Sequence, residues 1–314
     1  MSIDIEIRSG SVFFDGGDAS TYALRDANAT FPAHSVTGLI GESGSGKSVL
    51  GMSILGLLPN TARIEGSCVY KDRDLYRLSE REMTRIRGSE IALIPQNPSE
   101  SLNPMLRIGR QLSEAVALRG RGEKPRALER RDSLLERFGF ADPRAIDRSY
   151  SFQLSGGMNQ RVVSALGLMG SPRWVIADEP TKGLDAILRK QVYGVLKEIA
   201  ENEVEGMIVI THDIALACAL CDTIMVLYKG LILEQRSSAE LMGSPLHPYT
   251  RGLIGSLPSR GMHPICRDLP GRDSHVEGCP FYPRCAVAEK RCSESIPPET
   301  PLSPNGFVRC FLNA

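Results

Sequence analysis

Residues 41–48 read GESGSGKS, and no other stretch of the chain restricts its fold so sharply. The spacing G-x-x-x-x-G-K-[ST] works as a turn between a strand and a helix. Its glycines let backbone N–H groups close around a phosphate, and the helix start adds its positive end. Both flanks comply, with a short apolar run at 35–40 and helical spacing from Lys47 to Leu57. Gly41, Ser43, Gly44, Ser45, Gly46 and Val49 are therefore expected to line a nucleotide cradle. Lys47 is expected to reach the β- and γ-phosphate oxygens, and Ser48 to coordinate Mg²⁺. The competing reading, a chance glycine-rich turn, requires neither flank.

A loop of this kind belongs to a mostly parallel, helix-covered sheet, and the rest of the pattern supplies one. Strands are predicted at 3–8, 64–70, 91–94, 174–177, 207–211 and 223–228, separated by helical stretches. Residues 99–171 carry almost no strand signal and read as a helical insertion. At 314 residues the chain exceeds one small domain. Lys plus Arg and Asp plus Glu both number 37, which disfavours a bulk electrostatic nucleic-acid binder or a polybasic membrane binder. No apolar run approaches the ~18 residues of a membrane-spanning helix. The opening MSIDIEIRSG alternates like a strand, unlike a signal peptide, so the expectation is a cytosolic protein that can dock on membrane proteins.

A magnesium site begun by Ser48 needs a carboxylate at the end of a buried strand. The run 174–179, WVIADE, supplies Asp178 to hold Mg²⁺ and, one residue on, Glu179 to polarise an attacking water as general base. Gln96 follows the strand at 91–94, where its amide can reach the Mg²⁺ or the water. His212 follows the strand at 207–211, where an imidazole can contact the γ-phosphate. Taken singly, either is equally well an ordinary loop residue or a packed histidine. Ser155, Gly156 and Gly157 open another helix and form a second anion-binding start. One nucleotide does not need two cradles from one chain, so the simplest geometry is a head-to-tail dimer with each ATP between Lys47 of one copy and Ser155 of the other.

In this order, GESGSGKS, IPQNP, LSGGMNQR, VIADEPT, GLD and ITHD resemble the nucleotide-binding subunit of ATP-binding cassette (ABC) transporters over about residues 1–245. The resemblance implies an α/β fold of ABC type: a RecA-like parallel sheet core, an antiparallel β subdomain and an inserted helical subdomain at about 99–171. It implies that Phe14 (or Tyr22) stacks on adenine, Gln96 belongs to the Q-loop, Asp185 to the loop crossing the dimer interface and His212 to the switch. It further implies that the segment from about Asn97 to Leu112 meets a coupling helix of a transmembrane partner. The stretches SPLHPYTRGLIGSLP at 244–258 and GCPFYPRCAVAEKRC at 278–292, followed by Cys310, are similar to the extension (here 246–314) of dipeptide, oligopeptide and nickel importer ATPases. The implied function is ATP hydrolysis that energises import of di- or oligopeptides, with nickel or metallophore uptake as the alternative. A soluble ABC ATPase acting on nucleic acid or ribosomes is the reading from another class. The implied partners are a second, paralogous ABC ATPase subunit, two permease subunits and an extracytoplasmic substrate-binding protein, without nucleic acid, at the cytoplasmic face of the membrane.

The tail is poor in large apolar side chains and should not fold alone. Its Cys279, Cys285, Cys292 and Cys310 fall within 32 residues and suit either tetrahedral Zn²⁺ or a 4Fe–4S cluster. The resemblance favours iron–sulfur, with zinc as the alternative. Cys266 stands apart and is not expected to be a ligand. Cys218 and Cys221, spaced like a redox pair, read as core packing. The mixed charges from Arg119 to Arg137 read as a solvated helix face. Four positions depart from the family pattern: Met158-Asn159 after the signature, and Lys182-Gly183 in EPTKGLD. With cluster and nucleotide far apart in sequence, substituting the tail cysteines is expected to loosen the tail more than it disturbs ATP binding.

Overall fold

The computed structural model describes residues 4–16, 19–117, 124–263, 265, 277–302 and 306–313. The chain divides into two compact units. One comprises residues 1–3, 32–35 and 78–209, the other residues 4–31, 36–77 and 210–314.

In the first unit Ile91–Ile94 runs parallel to Trp174–Asp178, and Gly206–Ile210 flanks the latter on its other side. Every residue of Trp174–Asp178 and Gly206–Ile210 is buried, which suits short strands covered on both faces. Trp174 sets the spacing, since a Cβ at Gly206 would lie 2.4 Å from its ring. Between the strands lie the helices Ile108–Ala117, Lys124–Arg137, Pro143–Arg148 and Gly156–Leu168, as predicted for the insertion. The charge run is not simply a solvated face there. Arg131 is buried and paired with Asp132 and Asp147, Arg130 donates to the Leu168 carbonyl, and Arg137 bonds Glu203. These arginines tie helices together.

In the second unit Ile5–Gly16 pairs antiparallel with both Ala19–Phe31 and Ala62–Tyr70. The 13-residue strand Ala19–Phe31 escapes sequence reading because its alternation breaks at Asp26. That residue lies at φ +43, beside a register shift against Ile5–Gly16. Val36–Ile40 runs parallel to Thr223–Tyr228, which pairs antiparallel with Leu231–Ser237. The tail adds strands that were not anticipated: Gly306–Val308 pairs with Glu234 and Gln235, and Thr300–Leu302 continues outward. Arg309, 6 % exposed, then binds the Asp26 carbonyl (3.0 Å) and the Glu299 carboxylate (2.7 Å). A segment short of apolar side chains is thus held by sheet bonds and a buried guanidinium. Cys221 is buried, with Gly38 leaving room for its sulfur, while Cys218 is half-buried; both thiols are free, and burial raises the pKa of each.

Among the described residues no helix is long and apolar enough to cross a membrane.

Candidate functional site

The second unit carries the phosphate loop. Its helix, Lys47–Ile54, has Gly46 at its cap, no side-chain cap and no acidic residue in its first turn. The leading N–H groups and the positive helix end are therefore left for an anion. Gly46 adopts φ +103, and a Cβ there would sit 2.3 Å from the Ala23 carbonyl, so glycine alone lets the loop lie against the strand. Lys47 is buried, with Nζ donating to the Gly41 and Glu42 carbonyls at 2.9 Å each and to Ser45 Oγ at 3.3 Å. Ser43 and Gly44 are exposed, and Ser48 and Val49 half-buried. Phe14 is half-buried on Ile5–Gly16, paired with Thr21, whereas Tyr22 stacks obliquely on Phe13 and is 51 % exposed. His212 is exposed in the turn after Gly206–Ile210, ahead of the helix Ile214–Leu220 that Asp213 caps.

The first unit carries the acidic and signature residues. Asp178 ends its strand, and both it and Glu179 are 6 % exposed. Glu179 holds φ +49, a conformation few non-glycine residues accept. This costs about 1–3 kcal/mol and is typical of positions where function requires it. The turn that follows explains one departure from the family pattern: Gly183 lies at φ +73, where a side chain is strained. Nothing in the structure explains the exposed Lys182. Asp185 caps the helix Ala186–Asn202 by accepting from Ile187 and Leu188 N–H at 3.0 and 2.9 Å. Gln96 is half-buried in the turn leaving Ile91–Ile94. Ser155, exposed, caps the helix Gly156–Leu168 by accepting from Met158 N–H. Asn159 also finds its reason: Nδ2 donates to the Ser151 carbonyl at 2.9 Å and holds the signature turn against its own helix.

The tail cysteines converge. Cys279, Cys285, Cys292 and Cys310 line one small, largely apolar cavity together with His247 and Phe281. None of the four forms a disulfide. They do not form a coordination sphere: among the described residues no group of three or more His, Cys, Asp or Glu is arranged to hold a metal ion. Burial and the neighbouring sulfurs push Cys279 up to about 12, and burial raises Cys310. Protonated thiols pack as small apolar groups. Cys266 lies outside the described residues. Beside this cavity His247 is wholly buried and held down to about 3, by burial and then by Arg251. Its N–H and that of Leu246 both donate to the buried Glu234 carboxylate at 2.9 Å.

Sequence reasoning missed three residues at the phosphate loop. Glu42 donates its N–H to Tyr249 Oη, and its carboxylate accepts from Arg284 Nη1, each at 2.9 Å. Arg284 also reaches Tyr228 Oη at 3.3 Å. One signal was available: a carboxylate inside an anion cradle is a charge conflict that needs a cation from elsewhere.

Comparison with known proteins agrees with this architecture. The family model for ABC transporters matches residues 24–182, and that for the oligopeptide/dipeptide transporter C-terminal region matches residues 233–292. A "Probable peptide ABC transporter ATP-binding protein" of Sinorhizobium fredii is 37 % identical, covering 98 % of this chain and 94 % of its own. The dipeptide transport ATP-binding protein DppD of Bacillus subtilis is 36 % identical with coverage of 98 % and 94 %. The oligopeptide transport ATP-binding protein OppD of Salmonella typhimurium is 35 % identical with coverage of 98 % and 93 %. A dimeric bacterial ABC transporter cassette superposes with a TM-score of 0.67 at 27 % identity, covering 74 % of this chain and 98 % of that one. With its phosphate loop, its acidic strand end, its signature helix and a matching tail on one polypeptide, the chain belongs to the ABC transporter family and is an ATP-binding, ATP-hydrolysing subunit.

Proposed function

We propose that this chain powers the import of di- or oligopeptides across a membrane. One observation carries the reading: a nucleotide cassette and the oligopeptide/dipeptide transporter C-terminal region stand on the same polypeptide. The nucleotide-binding domain spans 1–245, with its helical subdomain at about 99–171, and the extension spans 246–314. The subunit works at the cytoplasmic face with a paralogous ATPase, two permeases and an extracytoplasmic binding protein that selects the peptide.

ATP sits on the Gly41–Val49 loop with its adenine on Phe14. Phosphate oxygens replace the loop carbonyls that now hold Lys47; Ser48, Gln96 and Asp178 would hold Mg²⁺, which would supply positive charge to the phosphates. The Ser155–Gly157 helix start of the second ATPase caps the γ-phosphate, and Asp185 lines the interface. Glu179 takes a proton from the attacking water while His212 contacts the γ-phosphate. Loss of that phosphate removes the charge joining the two subunits, and the dimer opens.

The reading extends to a 4Fe–4S cluster, or Zn²⁺ in its place, held by Cys279, Cys285, Cys292 and Cys310. Its support is the donor chemistry, four cysteine sulfurs around one cavity. Such a group would fix the tail loops and stabilise the thiolate forms. Metal content of anaerobically purified protein tests it: about four irons per chain are expected, and metal-free protein with an intact tail would overturn it.

The functional reading is tested in proteoliposomes holding the permeases and both ATPases. Peptide-loaded binding protein should raise ATP turnover, and Lys47→Ala should abolish both nucleotide binding and transport. Nucleotide binding unchanged in that variant would sink the proposal.

A further inference from the structure

The tail does more than extend the domain. Phe281 lines the cysteine cavity and packs on Tyr228 and Tyr249, with ring centres 5.4 and 5.3 Å apart. Both tyrosines meet the chemistry of the phosphate loop. Tyr249 Oη accepts the Glu42 N–H, and Tyr228 Oη meets Arg284. Arg284 itself stands on the loop between Cys279 and Cys285 and binds the Glu42 carboxylate. The Glu42 carbonyl, in turn, holds Lys47. Arg284 also walls a cavity of about 600 Å³ whose floor is Glu42 to Ser45.

We propose that Arg284 is a positioning residue for nucleotide binding: carried by the cysteine-bearing tail, it neutralises Glu42 inside the phosphate cradle and so makes nucleotide affinity depend on the integrity of the tail. The physical need is plain. An uncompensated carboxylate next to a triphosphate site repels the ligand, and a mobile Glu42 releases the carbonyl that orients Lys47. The bond between Glu42 and Arg284 spans the sequence distance between the two sites.

The inference rests on reading GESGSGKS as the nucleotide site, and the test keeps the two apart. Equilibrium binding of Mg·ADP and Mg·ATP is measured on the purified full chain and its variants. If the wild type binds neither, the site reading fails. If it binds both, Arg284→Gln should weaken binding about fivefold, the scale of a part-exposed charge pair beside a charged ligand. Adding Glu42→Gln to Arg284→Gln should restore affinity. Arg284→Lys should keep part of the effect of arginine. Cys285→Ser should weaken nucleotide binding, and Glu42→Gln should relieve that loss as well. A structural defect in the tail would not be relieved by removing a charge from the phosphate loop. Unchanged affinity in Arg284→Gln, or a loss that Glu42→Gln fails to relieve, overturns the proposal.

Discussion

Glu179 shows how much one residue's backbone can disclose. A buried carboxylate at φ +49 directly after a buried strand is costly on two counts, and both are consistent with a role at the reacting water. Glu179→Gln should keep ATP binding and cut turnover by about 10³-fold, with the closed dimer accumulating on size-exclusion chromatography. Ordinary turnover in that variant would remove Glu179 from the role of base. His247 makes a prediction about pH. Folded, it stays neutral down to about 3, whereas unfolded it takes up a proton near 6.5. The unfolded state therefore binds more protons as pH falls below 6.5, and stability declines with acidity. Between pH 6.5 and 5.5 the wild type should lose about 1 kcal/mol more than His247→Asn in urea unfolding. Parallel curves would show that the imidazole is not the titrating group.

At the scale of elements, the two helix starts differ in how they are left open. Lys47–Ile54 has no side-chain cap, while Gly156–Leu168 is capped by Ser155 and braced by Asn159. The brace is a local answer to an unusual signature, and it ties the turn to the Ser151 carbonyl. Asn159→Ala should leave the affinity of the isolated chain for ATP within about twofold, because in the proposed mechanism that helix meets nucleotide across the dimer. It should lower ATPase several-fold in the assembled transporter by loosening the turn, a loss of about 1 kcal/mol. Weakened binding in the isolated chain would contradict this division of labour. Glu234 performs a similar service for the tail, where its buried carboxylate satisfies the N–H groups of Leu246 and His247. Glu234→Ala leaves the buried His247 N–H and the part-buried Leu246 N–H without their carboxylate and should cost about 2–4 kcal/mol, read by thermal unfolding.

For the whole molecule, the tail is part of the fold that carries the phosphate loop. Stopping the chain after Gly243 would strip Gly306–Val308 from the sheet edge at Glu234 and Gln235 and remove Arg309 from Asp26. An unpaired, apolar edge strand invites association. The truncated chain should melt at least about 5 °C lower, or aggregate. A monomer as stable as the full chain would show that these bonds contribute nothing.

Much of the site is legible from residue order alone, because its chemistry is local. A glycine turn, a lysine and a hydroxyl form a phosphate cradle through spacing and helix geometry, and a carboxylate at a strand end is visible as a charge after an apolar run. The strand Ala19–Phe31 was hidden by a bulge at Asp26, and the tail strands by their brevity and polarity. Tertiary structure alone decided that the cysteine loop would reach back to the phosphate loop. Glu42 and Arg284 lie 242 positions apart, and no periodicity links residues so separated. Only the packing of Tyr228, Tyr249 and Phe281 brings the charge that Glu42 needs to its side.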